Sequence, residues 1–127
     1  MSDTLSIGKK LVELCRQGKF TEAVETLYSP DIVSIEAASS PAMPARTEGL
    51  AGVKGKNEWW INNHEVHRAE AEGPWPHGDR FIVRFKFDVT PKAGPSSGKR
   101  MTMDETGLYT VKGGKIAQEE FFYDMGG

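Results

Sequence analysis

Lys112-Gly113-Gly114-Lys115 is the feature that most limits what this chain can fold into. A Gly-Gly pair between two runs rich in β-branched and aromatic residues signals a tight hairpin, because both central positions of a type I′ turn need φ > 0. The arms are KRMTMDETGLYTV and IAQEEFFYD, which makes Lys99 to Asp124 one antiparallel ribbon. Regular alternation outward from the turn pairs Val111 with Ile116, Leu108 with Glu119, Thr106 with Phe121 and Asp104 with Tyr123. One face then carries Thr102, Asp104, Thr106, Leu108, Glu119, Phe121 and Tyr123. The other carries Met103, Glu105, Tyr109, Val111, Ile116, Gln118, Glu120 and Phe122. Each face mixes aromatics with carboxylates. A ribbon covered on both sides is expected, with acids enclosed on at least one of them.

The segment before the ribbon supplies the cover. Ser2, Asp3 and Thr4 offer N-cap oxygens to a first helix, whose apolar face runs through Leu5, Leu11, Val12, Leu14 and Cys15 and stops at Gly18. A short second helix from Phe20 uses Ala23, Val24 and Leu27. Ser29-Pro30-Asp31 ends it, since proline disfavours the α conformation in the residue before it. Ile32, Val33 and Ile35 read as a short strand, and Ala37 to Glu48 as a loop or flap. A third helix is expected from Leu50 to His64. Val66 to Glu72 suits a strand, Pro74, Pro76 and Gly78 a turn around Trp75, and Pro91 to Gly98 a loop. Phe81 to Val89 alternates strictly, with Phe81, Val83, Phe85, Phe87 and Val89 on one face and Arg84, Lys86 and Asp88 on the other. Helices first and antiparallel strands after them make an α+β fold, expected here as a single domain over residues 1–127.

Several functions are excluded or weakened. Sixteen basic and 18 acidic residues leave a net charge of −2, with no electrostatic case for nucleic acid. No apolar run reaches membrane-spanning length, and the N-terminus lacks a signal core. The single cysteine, Cys15, permits no internal disulfide and fits a reducing, cytoplasmic setting; on an apolar helical face it reads as core and not as a nucleophile. Gly49, Gly52 and Gly55 fail as a phosphate loop, because Leu50 stands where the first glycine of that motif is needed. His64 and His67 are three residues apart, not the four that put two ligands on one helical face, so no metal is expected. Trp59 and Trp60 point different ways around their helix, one to the core and one to a cavity or an interface.

Leu27-Tyr28-Ser29-Pro30-Asp31-Ile32-Val33 after the second helix, and Gly114-Lys115-Ile116 leading into Glu120-Phe121-Phe122-Tyr123-Asp124, resemble the SnoaL-like proteins of the nuclear transport factor two-like, or cystatin-like cone, superfamily. The resemblance covers nearly the whole chain. It implies a curved mixed or antiparallel sheet wrapped around three N-terminal helices, with an internal pocket and a homodimer through the outer sheet face. It also implies that Glu119, Phe121 and Tyr123 point into the pocket; the hairpin pairing adds Asp104, Thr106 and Leu108 to that side and leaves Glu105, Tyr109, Gln118, Glu120 and Phe122 outside. Leu108 stands where an isomerase-like relative has a hydrogen-bonding acid, and Phe121 where a hydrolase-like relative has an aspartate. Lys86-Phe87-Asp88 is a loose counterpart of the hydrolase-like Arg-x-Asp.

Two functions follow as expectations. The first is isomerase, cyclase or lyase chemistry on a small hydrophobic carbonyl compound, without metal or organic cofactor. Glu119 would be the desolvated base, Tyr123 beside Asp104 the donor to a developing enolate, and His64 with Trp59 the mouth of the pocket. The second is a non-catalytic ligand-binding or dimerisation module in which Glu119 and Asp104 are structural.

Overall fold

The computed structural model describes residues 2–38 and 44–123. The elements run α1 (Ser2–Arg16), α2 (Phe20–Leu27), β1 (Tyr28–Ile35), β2 (Arg46–Glu48), α3 (Leu50–Asn62), β3 (His64–His77), β4 (Arg80–Pro91), β5 (Met101–Lys112) and β6 (Lys115–Phe122). The strands form one sheet in the order β2-β1-β6-β5-β4-β3. Strands β1 and β6 run parallel, and every other neighbouring pair is antiparallel. The fold is α+β, with three helices lying against one mixed sheet.

Burial explains the arrangement. Phe81, Val83, Phe85, Phe87 and Val89, every second residue of β4, are buried with Leu11, Val12, Leu14 and Cys15 of α1 and Ala23, Val24 and Leu27 of α2. Each large apolar side chain so removed from water stabilises the fold by roughly 1.5–3 kcal/mol. Helix α3 contributes less, with Val53 its one buried residue. It lies close to β2, because the bare Gly52 leaves Thr47 room; a Cβ there would stand 3.0 Å from the Thr47 methyl.

The structure alters three expectations. The segment read as a loop from Ala37 to Glu48 ends in β2, which pairs with β1; residues 39–43 lie outside the described residues. The turn expected around Trp75 is strand, and β3 continues to His77 before reversing at Gly78 and Asp79. Prolines 74 and 76 are tolerated there because β3 is the sheet edge, where a missing N–H costs no ladder bond on the open side.

The third change is in the hairpin. Gly113 and Gly114 make the turn with positive φ, and Val111 pairs with Ile116 as expected. The register then shifts, and Thr110 pairs with Gln118, so Ala117 is an extra residue in β6. A β-bulge of this kind reverses side-chain parity beyond it. Tyr109 therefore lies opposite Glu119 and Gly107 opposite Phe121, while Leu108 pairs with Glu120 and Thr106 with Phe122.

Candidate functional site

Between the helices and the concave face of the sheet lies a cavity of about 420 Å³. Its walls are largely aromatic. Phe20 meets Trp60 and Phe87 edge-on, at 6.3 and 5.8 Å between ring centroids, and Trp60 stacks on His64 at 4.6 Å. Phe85, Tyr109 and Phe121 close the sheet side. Trp59, 43% exposed, and His64 stand at the same wall.

Six polar side chains form one connected chain at this cavity. Helical spacing puts Val53, Lys56, Asn57 and Trp60 on the face of α3 that looks at the sheet. There the Lys56 ammonium donates to Ser34 Oγ and, at 2.7 Å, to Glu36 Oε2. Ser34 Oγ in turn donates to Glu119 Oε2 at 2.7 Å. The Tyr28 hydroxyl donates to Glu119 Oε1, and the Tyr123 hydroxyl to Glu36 Oε1 at 2.9 Å. Both oxygens of Glu119 and both of Glu36 are thus acceptors. Glu119 is 3% exposed. Burial raises its pKa, against the pull of the Tyr28 and Ser34 hydroxyls and the Lys56 charge. Burial and the nearby Glu119 charge likewise raise the Tyr28 hydroxyl, and push the Cys15 thiol in the cavity wall up to about 12.

Two polar groups of β5 also face the cavity and stand outside this chain. Glu105 on β5 accepts no hydrogen bond among the described residues. Burial first, then the charges of Glu36 and Glu119, push its carboxyl up to about 7, with Lys56 opposing. The second group is the Tyr109 hydroxyl. Its ring lies flat against the strand because Gly107 has no side chain; a Cβ there would sit 2.7 Å from the ring. Tyr109 is 2% exposed, and its hydroxyl donates to no side chain among the described residues.

The expected site residues divide by strand. Glu119, Phe121 and Tyr123 of the last arm line the cavity, as do Trp59 and His64. Asp104, Thr106 and Leu108 do not; the bulge at Ala117 turns them to the outer face, and brings Glu105 and Tyr109 inward in their place. Asp104 accepts two hydrogen bonds from Arg84, at 3.1 and 2.8 Å, which hold it below the usual carboxylate range. Asp88 is also on the outer face, gripped by Arg100 at 2.9 and 2.7 Å, and is lowered for the same reason. Tyr123 meets Glu36 and not Asp104. His64 donates from Nδ1 to the Trp60 carbonyl at 2.8 Å, closing the helix end, while His67 Nε2 meets Thr90 Oγ1.

Tyr28, Ser34, Glu36, Lys56, Glu105 and Tyr109 escape the sequence reading. A signal for Tyr109 and Glu105 was present: Val111 and Tyr109 are both large and apolar enough to belong with Ile116 inside. Keeping Glu119 there as well requires one extra residue in the second arm.

The model of the SnoaL-like domain matches residues 2–123. The chain belongs to the SnoaL-like domain family. A Mesorhizobium loti protein described as a SnoaL-like polyketide cyclase, and alternatively as a carbohydrate phosphatase, is 48% identical over 93% of this chain and 97% of its own, with a TM-score of 0.85. An NTF2-like protein of unknown function from Burkholderia pseudomallei superposes with a TM-score of 0.79 at 17% identity, over 98% and 92% of the two chains. A protein from Xanthomonas campestris with a cystatin-like fold gives 0.75 at 17%, over 94% and 89%. The last two likenesses establish the fold alone. No curated protein matches the chain significantly. Among the described residues no helix is long and apolar enough to cross a membrane.

Proposed function

We propose that this SnoaL-like chain moves a proton on a small hydrophobic carbonyl compound, as an isomerase, cyclase or lyase, with Glu105 as the acid/base. The observation that carries this is the division of labour among three cavity carboxylates. Glu36 and Glu119 spend all four oxygens as acceptors, so each serves the architecture. Glu105 alone of the three keeps its oxygens uncommitted among the described residues. A pKa of about 7 lets it both take and return a proton near neutral pH. Tyr109 supplies the complement. With the carbonyl oxygen against its hydroxyl, Glu105 removes the α-proton, the C–H pair becomes the enolate double bond, and the oxygen takes the charge where the phenol donates. Return of the proton to another carbon gives an isomerase; attack of the enolate on a second carbonyl gives a cyclase. Glu119, the base favoured by sequence, acts in this reading as an anchor that holds Tyr28 and Ser34.

A phosphomonoester is a poor fit to the same cavity. Three carboxylates face one ammonium there, and that ammonium is already held by Glu36 and Ser34.

Deuterium exchange at the α-carbon of a panel of aryl and alkyl ketones, followed by NMR, tests the chemistry. Acceleration is expected, with kcat/KM rising to a plateau through pH 7 and falling by at least about 100-fold in Glu105→Gln. Exchange at the uncatalysed rate for every ketone would leave a binding module, the reading that the self-contained Glu119 network favours.

The outer face of the sheet suits a second copy of the chain. Ile82 and Leu108 are cross-strand neighbours there, and Phe122 beside Thr106 is 49% exposed. Sedimentation at micromolar concentration should give twice the 14.0 kDa chain mass; a monomer would rule this interface out.

A further inference from the structure

We infer that the cavity also takes hydrophobic ammonium compounds, with the cation seated between Glu105 and the aromatic wall. The inference shares with the proposed chemistry the placement of Glu105, but it does not depend on turnover. Three observations carry it. The first is charge. The titratable groups lining the cavity are Glu105 and Tyr109 on β5, Glu36 after β1, Tyr28 on β1, Lys56 on α3, Glu119 and Tyr123 on or after β6, Cys15 on α1 and His64 at the start of β3. Strand β4 brings only Phe85 and Phe87. Among these, three carboxylates face the single lysine ammonium, which is spent on Glu36 and Ser34. Among the described residues Glu105 is left as an acid without a counter-ion.

The second observation is the wall. Phe20, Trp60, Phe85, Phe87 and Phe121 line the same cavity as the acid, and aromatic faces attract cations by their quadrupoles. This cavity already uses that attraction once, since the Lys56 ammonium lies 5.7 Å from the centre of the Phe121 ring. The third is size. About 420 Å³ is within the range of small-molecule pockets, and accommodates an aryl or branched alkyl body behind the cation. A buried carboxylate is costly when ionised and alone, and much less so beside a cation. A ligand ammonium therefore supplies what Glu105 lacks. A neutral ligand, by contrast, leaves the proton on Glu105 as the pH alone sets it.

The two arrangements differ in pH dependence. An ammonium binds the ionised acid, so below pH 7 its binding must expel a proton from Glu105; a neutral ligand expels none. Calorimetry with 2-phenylethylamine, cationic throughout the range, and its neutral isostere 2-phenylethanol at pH 5.5, 7 and 8.5 reads this directly. Amine affinity should rise by about tenfold per pH unit up to about 7 and then level, while alcohol affinity stays flat. Glu105→Gln should remove the slope and, at pH 8.5, weaken the amine at least tenfold more than it weakens the alcohol. In the wild-type protein, saturating amine should move the titration midpoint of the Glu105 carboxyl carbon below 7, a measurement that stands even if the variant does not fold. Equal affinity for amine and alcohol at pH 8.5, an unmoved midpoint, or binding of neither compound would each overturn the inference. Amine binding without ketone exchange would leave it standing and remove the proposed catalysis; ketone exchange without amine binding would do the opposite.

Discussion

Asp104 and Glu105 are neighbours in sequence and opposites in circumstance. Asp104 is exposed on the outer sheet face, clasped by Arg84 and lowered by its hydrogen bonds and charge. Glu105 points into the cavity, is paired with no cation among the described residues and is raised to about 7 by burial and by two other acids. The same functional group is thus a fixed charge on one face of the strand and a titrating group on the other. The faces differ less in how many acids they carry than in what each acid finds within reach. On the outside every acid that β4 and β5 present has an arginine on the same or the adjoining strand or loop. Inside, three acids depend on one lysine.

That contrast is open to direct attack, and the interior should respond most. Lys56→Met removes the only lysine from a cavity that holds Glu36, Glu105 and Glu119. Breaking a largely buried ion pair and leaving its acids uncompensated should destabilise the fold by roughly 3 to 4 kcal/mol at pH 8, read by urea denaturation. The titration midpoint of Glu105 should rise as well, because Lys56 is what holds it down. A loss below about 1 kcal/mol would mean that the lysine is not what makes the inner face tolerable.

Glu105 should give the next largest effect, with a sign that depends on pH. Its pKa is about 7 folded against an ordinary 4.5. Below 4.5 the carboxyl is protonated in both states and its contribution is complete. Between 4.5 and 7 the unfolded chain releases the proton and the folded chain retains it, so stability falls as pH rises, by about 3 kcal/mol in total, and then levels. Glu105→Gln should abolish this decline and leave the variant more stable than the parent at pH 8. Denaturation midpoints across pH 4 to 8.5 measure it; a parent protein whose stability is flat over that interval would place Glu105 in contact with water.

Asp104→Asn should do least. The pair with Arg84 is exposed, and surface pairs are screened and contribute little. The thermal midpoint should stay within experimental error in ordinary salt. A loss comparable to that of Lys56→Met would show that the outer face is covered in solution, as a dimer interface would cover it.

Much of this was legible in the sequence. The two-residue turn, the alternation of β4, the helical face of α1 and the placing of Glu119, Phe121 and Tyr123 inside all follow from local periodicity or from family resemblance. The pairing of the hairpin goes astray at one residue. Periodicity is a rule about intervals, and an unmarked extra residue such as Ala117 leaves both arms plausible while exchanging the partners between them. For that reason alone regular alternation puts Glu105 and Tyr109 outward. The polar chain was hidden differently. Tyr28, Ser34, Glu36 and Lys56 come from β1, the turn after it and α3, and only the parallel pairing of β1 with β6 brings them to Glu119. Nothing in the spacing of those residues announces a contact 85 or 91 positions away.

The bulge has a consequence for how proteins of this build are compared. Deleting Ala117 would remove the bulge but keep Thr110 opposite Gln118 and Tyr109 opposite Glu119, so plain alternation from Ile116 would still point Glu119, Phe121 and Tyr123 into the cavity. The lining of the pocket is thus set by the pairing beyond Ala117, and the numbering parity of β6 alone carries the mark of the extra residue. Two relatives differing only by that residue can keep the same scaffold and the same lining, whereas an ungapped alignment of their last strands will match every residue beyond the bulge with one from the opposite face.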